Sequence, residues 1–209
     1  MSNEKQYVWY ASYGSNLLES RFRCYLLGGR PEGALRSCRG CSDRSLPLSS
    51  KPVDINRQLY FARESQTWAG GGVAFIGKPT NGSSKTYGRM FLITEGQFCE
   101  VMAQEMDTDE KIRIDFDRIE TKGSDLLKEN AWYGRILCLG RHDGFPIFTF
   151  TFEKDEQLLR KPGHAYLRTI IKGLKETYKF GNEEIATYLA AQPGISGNYT
   201  VSELKELMN

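Results

Sequence analysis

The chain reads as an α+β protein, with a mixed β-sheet or barrel and flanking helices. Three observations predict this. Apolar and aromatic runs of strand type fill the N-terminal and central parts of the chain. Helical periodicities gather at the C-terminal end, so strands and helices are segregated and do not alternate as in a βαβ series. Only two helical segments interrupt the strands, each opened by a capping signal. No internal repeat and no linker divides the chain, and a single domain spanning 1–209 is expected.

The elements follow in order. Tyr7-Val8-Trp9-Tyr10-Ala11 has strand composition and runs into the small-residue turn Tyr13-Gly14-Ser15-Asn16-Leu17. Asn16 and Glu19 have capping-box spacing, which predicts a helix over 17–27 stopped by Gly28-Gly29. A strand, a glycine turn and a helix N-terminus in succession leave backbone N–H groups unpaired, which suits a carboxylate or another anionic oxygen. An ordinary strand-to-helix connection has the same pattern. Residues 30–57, rich in Gly, Pro, Ser and Arg, read as long irregular structure. Strands are expected at 58–62, at 73–76 and at 89–93. Gly70-Gly71-Gly72 lacks a following Gly-Lys-Ser/Thr and marks a bulge or a close backbone approach, not a phosphate loop.

Thr94 and Gln97 form a second capping box, so a helix starts near Glu95. Phe98, Val101, Met102 and Glu105 then fall at i, i+3, i+4 and i+7, on one helical face. Three of these positions are core-like and the fourth is a carboxylate, which is rare on a buried face unless paired or functional. The alternatives are that the helix end emerges into solvent there, or that an arginine pairs with Glu105. Residues 107–131 are highly charged and read as a solvated, partly ordered segment; they lack the glycine and terminal glutamate of an EF-hand loop. Residues 132–139 and 145–152 form a hairpin joined at Arg141-His142-Asp143-Gly144. A helix over 165–178 carries Leu167, Ile170, Ile171 and Leu174. Asn182 is expected to cap the next helix, and Thr200 with Glu203 a terminal one.

Composition limits the function classes. Hydrophobic residues are 40% and aromatics 12%, as in a folded globular protein. Net charge is +2 from 28 basic and 26 acidic residues, and no basic stripe is interleaved with aromatics. Nucleic acid is therefore not an expected partner. No apolar run approaches the roughly 20 residues of a membrane span, and the polar start is not a signal peptide, so a cytoplasmic protein is expected. Oligomeric state is not readable from the sequence. Cys24, Cys38, Cys41, Cys99 and Cys138 have no framework spacing and are expected as free thiols. Cys38 and Cys41 have half a zinc-knuckle spacing but no second pair, and no metal site is expected.

Taken together and in this order, these residues resemble the γ-glutamylcyclotransferase-like superfamily. Tyr13-Gly14-Ser15-Asn16-Leu17 resembles its substrate-binding loop, and Trp68 with Gly70-Gly71-Gly72-Val73-Ala74 its Trp-x-Gly-Gly strand entry. Gly88-Arg89-Met90-Phe91-Leu92 resembles the strand that follows. Glu105 stands where the family places its catalytic carboxylate, and Pro162-Gly163-His164-Ala165-Tyr166 resembles its late Pro-x-x-x-Tyr segment. Met106 follows Glu105 where the family often has glycine, and residues 30–57 and 107–131 have no recognisable counterpart.

The resemblance implies intramolecular cyclisation of a small γ-glutamyl compound. Its α-amine would attack its own γ-carbonyl, giving 5-oxoproline and releasing an amine, with Glu105 as acid and base and with no metal or organic cofactor. Substrate binding would fall to Tyr13, Gly14, Ser15, Asn16, Leu17 and Tyr166. For the two tyrosines, packing at the pocket edge is the other reading. A silent small-molecule-binding or regulatory domain of the same fold, or a hydrolase of a γ-glutamyl amide, are the alternatives.

Overall fold

The computed structural model describes residues 5–82, 84–153 and 158–208. Its centre is a six-stranded mixed sheet ordered β2-β5-β1-β8-β7-β6. The strands are β1 (Tyr7–Ser12), β2 (Ser49–Ile55), β5 (Thr86–Thr94), β6 (Ser124–Leu126), β7 (Arg135–His142) and β8 (Phe145–Thr151). β3 (Arg57–Ser65) and β4 (Gly71–Pro79) form a separate two-stranded ribbon. The sheet has two ends, β2 and β6, so hydrogen bonding does not close it into a barrel among the described residues. β1 pairs antiparallel with β5 and parallel with β8.

This central position explains the unbroken apolar run of β1, because a strand covered on both faces does not alternate. Trp9 and Ala11 enter one core, with the ribbon and helices α4 (His164–Tyr178) and α5 (Asn182–Ala190). Val8 and Tyr10 enter a second core, beneath α1 (Glu19–Leu27), α2 (Glu95–Glu105) and α3 (Phe116–Lys122). The apolar face read for α4 is the buried one: Leu167, Ile170, Ile171 and Leu174 are each at most 2% exposed. The last helix, α6 (Val201–Glu206), is closed by the Thr200–Glu203 capping box.

The hairpin between β7 and β8 turns at Asp143 (φ +47°) and Gly144 (φ +83°), the two left-handed residues of a type I′ turn. The triple glycine also has a steric cause. A Cβ on Gly71 would lie 2.6 Å from the Gly163 nitrogen, and one on Gly72 would overlap the Arg160 carbonyl. The capping box of α2 is present, with Thr94 Oγ1 accepting from Gln97 N at 3.1 Å and Gln97 Oε1 from Thr94 N at 3.0 Å. Thr94→Ala is expected to cost about 1 kcal/mol, read as a lower denaturant midpoint at unchanged slope.

Several boundaries differ from the sequence reading. Residues 49–55 form the edge strand β2, not irregular structure; every other side chain there is exposed, so no apolar run marks it, and an edge tolerates Pro52. Within 107–131, Asp115 caps α3 by accepting from Arg118 N at 3.0 Å, and β6 pairs with β7. Trp132 and Tyr133 precede β7 and pack on Phe75 instead of joining the ladder. Asn182 is the first residue of α5 and not its cap, which is Gly181 without a side-chain bond. No helix among the described residues is long and apolar enough to cross a membrane.

Candidate active site

The turn after β1 is a short 3-10 turn, Ser15–Leu17, and α1 begins only at Glu19. The Asn16–Glu19 capping box is absent. Leu18 is the cap residue and has no side-chain bond, and Glu19 instead binds Arg23 and Arg89. Much of the expected anion-binding backbone is also engaged. Leu17 N donates to Gly14 O at 3.1 Å and Leu18 N to Ser15 O at 3.2 Å. The Glu19 N–H at the helix start meets the protein's own carboxylate, Glu176, at 3.3 Å. That carboxylate also binds Arg89 at 2.9 Å. Leu17 packs its side chain into the core, 1% exposed, and lies outside the cavity wall.

Released from capping, Asn16 turns inward. Its Nδ2 donates to Glu105 Oε1 at 2.9 Å and to the Tyr10 hydroxyl at 3.2 Å. Glu105 ends α2, and its three face-mates Phe98, Val101 and Met102 are fully buried. Its carboxylate faces a cavity of about 740 Å³. The residue is half-buried, and no arginine lies within ion-pair distance of it among the described residues. Tyr25 and Arg21 line the same cavity beside it. Burial pushes the Glu105 carboxyl above the ordinary glutamate range, opposed by the Arg21 charge, by Tyr25 and by the Asn16 bond.

The opposite wall is built from β4 and α4. Tyr166 is 3% exposed, and its hydroxyl accepts from Ala74 N at 3.0 Å. A Cβ on Gly14 would lie 2.9 Å from that oxygen, so glycine lets the turn close on Tyr166. Tyr166→Phe would strand the buried Ala74 N–H, and a loss of about 1–3 kcal/mol is expected by chemical denaturation. Tyr13 lines the cavity with its ring while its hydroxyl is committed to Phe150 O at 2.7 Å, which is the packing reading. Trp68 packs on Tyr166, ring centroids 5.0 Å apart, and Tyr133 donates to Ala74 O at 3.1 Å.

Gly14, Ser15, Asn16, Tyr13, Tyr166 and Glu105, distant in sequence, thus line one cavity. The sequence reading missed Arg21, Tyr25 and Tyr10, which complete its floor. The available signal was the i, i+4 spacing of Arg21 and Tyr25 on the helix face shared with Phe22 and Leu26. At the mouth, the segment carrying Arg36 and Arg39 is tied to the chain after α2 by the Arg36–Asp107 pair (3.1 Å) and the Arg39–Asp109 pair. Cys38 and Cys41 are free and have separate partners, Arg21 NH1 at 3.3 Å and Tyr25 O at 3.3 Å.

Comparison with known proteins gives sequence and structural relatives. No family model matches the chain. Histone deacetylase 5 of Arabidopsis thaliana is 36% identical over 201 residues, 87% of this chain. The chain spans only 30% of that relative's length. Among solved structures, a gamma-glutamyl cyclotransferase superposes with a TM-score of 0.51 at 16% identity, covering 97% of this chain and 98% of that one. The uncharacterized protein loc79017 from Homo sapiens superposes equally well, covering 97% of this chain and 99% of that one at 16% identity. At such identities the likeness is one of architecture, carried over nearly the whole of both chains. This chain has the γ-glutamylcyclotransferase-like fold.

Proposed function

We propose that the protein cyclises a small γ-glutamyl compound to 5-oxoproline and releases an amine, with Glu105 as the acid and base. The observation that carries this reading is the Glu105 carboxylate, buried enough to be raised in pKa and held by the Asn16 amide at the end of an aromatic-walled cavity. The substrate ammonium must lose a proton before its nitrogen attacks the γ-carbonyl, and the departing amine must gain one. A single carboxyl with a pKa moved towards neutrality serves both steps in turn. Attack is intramolecular, so the cavity has mainly to hold the chain folded on itself. The Gly14–Asn16 turn and Tyr166 form the wall against which that chain lies. The cavity volume suits a ligand of dipeptide size.

The test is incubation with a panel of γ-glutamyl amino acids, γ-glutamyl amines and glutathione, followed by separation of products. 5-Oxoproline supports cyclisation, whereas free glutamate identifies a hydrolase. A second reading, a ligand-binding module without turnover, draws on the curated relative, whose longer chain is named for a different activity. It predicts ligand-dependent thermal stabilisation with no product from any panel member.

A further inference from the structure

Arg21 is a buried cation without an anion beside it. The residue is 6% exposed and lines the cavity floor, yet no carboxylate lies within ion-pair distance among the described residues. Arginine is almost never buried unless paired, because losing water around the charge costs several kcal/mol. Its bonds go to neutral groups: NH2 to the Tyr25 hydroxyl at 3.2 Å and NH1 to Cys38 Sγ at 3.3 Å, while Nε has no partner. The guanidinium also lies 4.7 Å from the centroid of the Tyr25 ring.

The direction of the hydrogen bonds makes this arrangement informative. A guanidinium can only donate, so the Tyr25 oxygen accepts from Arg21 and turns its own proton elsewhere. Tyr25 and Glu105 line the same cavity, so the carboxylate is a group to which that proton can be turned. A phenol that accepts from a cation becomes a better donor, and the Arg21 charge also favours the ionised carboxylate through space. The other groups that bear on Glu105 are Tyr10 on β1, Cys38 on the loop after α1, Tyr133 before β7 and Tyr166 on α4, all neutral at pH 7. Burial acts against the charge of Arg21, but Tyr25, Glu105 and Cys38 outweigh it and keep the guanidinium protonated.

We propose that Arg21 is a positioning residue which, through the Tyr25 hydroxyl, sets the charge and the aim of the Glu105 carboxylate. It does not touch substrate. It offsets the cost of an ionised carboxyl in the cavity floor, so that Glu105 is available as a base at neutral pH. This role rests on the cyclisation reading for its consequence but not for its physical test.

The test is a titration of the Glu105 side-chain carboxyl by carbon NMR, assigned by its loss in Glu105→Gln, in the wild type, Arg21→Met, Arg21→Lys and Tyr25→Phe. The expected result is a midpoint raised by about 1–3 pH units in Arg21→Met. Most of the wild-type value should return in Arg21→Lys, which keeps the charge, and Tyr25→Phe should also raise the midpoint. The acid limb of kcat/KM for 5-oxoproline release should move in parallel. An unmoved midpoint in a folded Arg21→Met overturns the proposal. If that variant does not fold, an unmoved midpoint in Tyr25→Phe does the same. A wild type that makes no 5-oxoproline defeats the cyclisation reading alone, because the NMR midpoints still decide the role of Arg21.

Discussion

Glu105→Gln is expected to lower kcat/KM for 5-oxoproline release by about 10²–10⁴-fold, the usual worth of a positioned acid–base group. Glutamine keeps the shape of the side chain and can still meet Asn16, but it cannot take a proton from the substrate ammonium. The loss should therefore appear in kcat more than in KM. The fold should persist, because the apolar face of α2 is anchored by Phe98, Val101 and Met102. Stability should also carry a pH signature. The carboxyl of Glu105 has a folded pKa above its unfolded value. Its contribution is thus fully present below the unfolded pKa and is lost as pH rises through the folded one. Between those two values the stability gap between wild type and Glu105→Gln should move against the wild type with rising pH, measured as paired melting temperatures.

Gly173→Ala is the second large effect expected. Gly173 lies mid-way along α4, where alanine would ordinarily favour the helix by about 1 kcal/mol. Here an added Cβ would stand 2.5 Å from Leu17 Cβ and 2.6 Å from the Leu18 nitrogen, so two backbones would have to separate. Overpacking of this kind costs about 1–3 kcal/mol and wins over propensity. The turn that moves is the one carrying Ser15 and Asn16. Activity should therefore fall together with the denaturation midpoint, whereas Thr94→Ala should lower the midpoint alone.

The parts of this molecule legible in the sequence are those where local chemistry decides the structure. The Thr94–Gln97 and Thr200–Glu203 boxes and the Asp143-Gly144 turn are each specified by a few adjacent residues, and each is present. Glu105 was visible because a carboxylate interrupts an apolar helical face. What the sequence concealed depends on tertiary contact. Asn16 has the spacing of a cap, yet its side chain turns its Nδ2 to a carboxylate 89 positions away, and its Oδ1, the atom that would cap, has no partner. The helix start that should attract a ligand anion is met by Glu176 from α4. β2 has no apolar pattern because it is an edge strand, and α3 buries only Phe116 and Ile119. Arg21 takes its place in the cavity floor only through the fold, which sets Trp68 and Cys38 against it.

The central claim is that the cavity between Glu105 and the Gly14–Asn16 turn closes a γ-glutamyl chain into a ring. A time course with a γ-glutamyl amide labelled with ¹⁵N at its α-amine, followed by NMR, tests it most directly. The expected result is transfer of the label into the lactam of 5-oxoproline, with one amine released per ring formed and none formed by Glu105→Gln. Labelled free glutamate, or a lactam formed equally fast by Glu105→Gln, would contradict it.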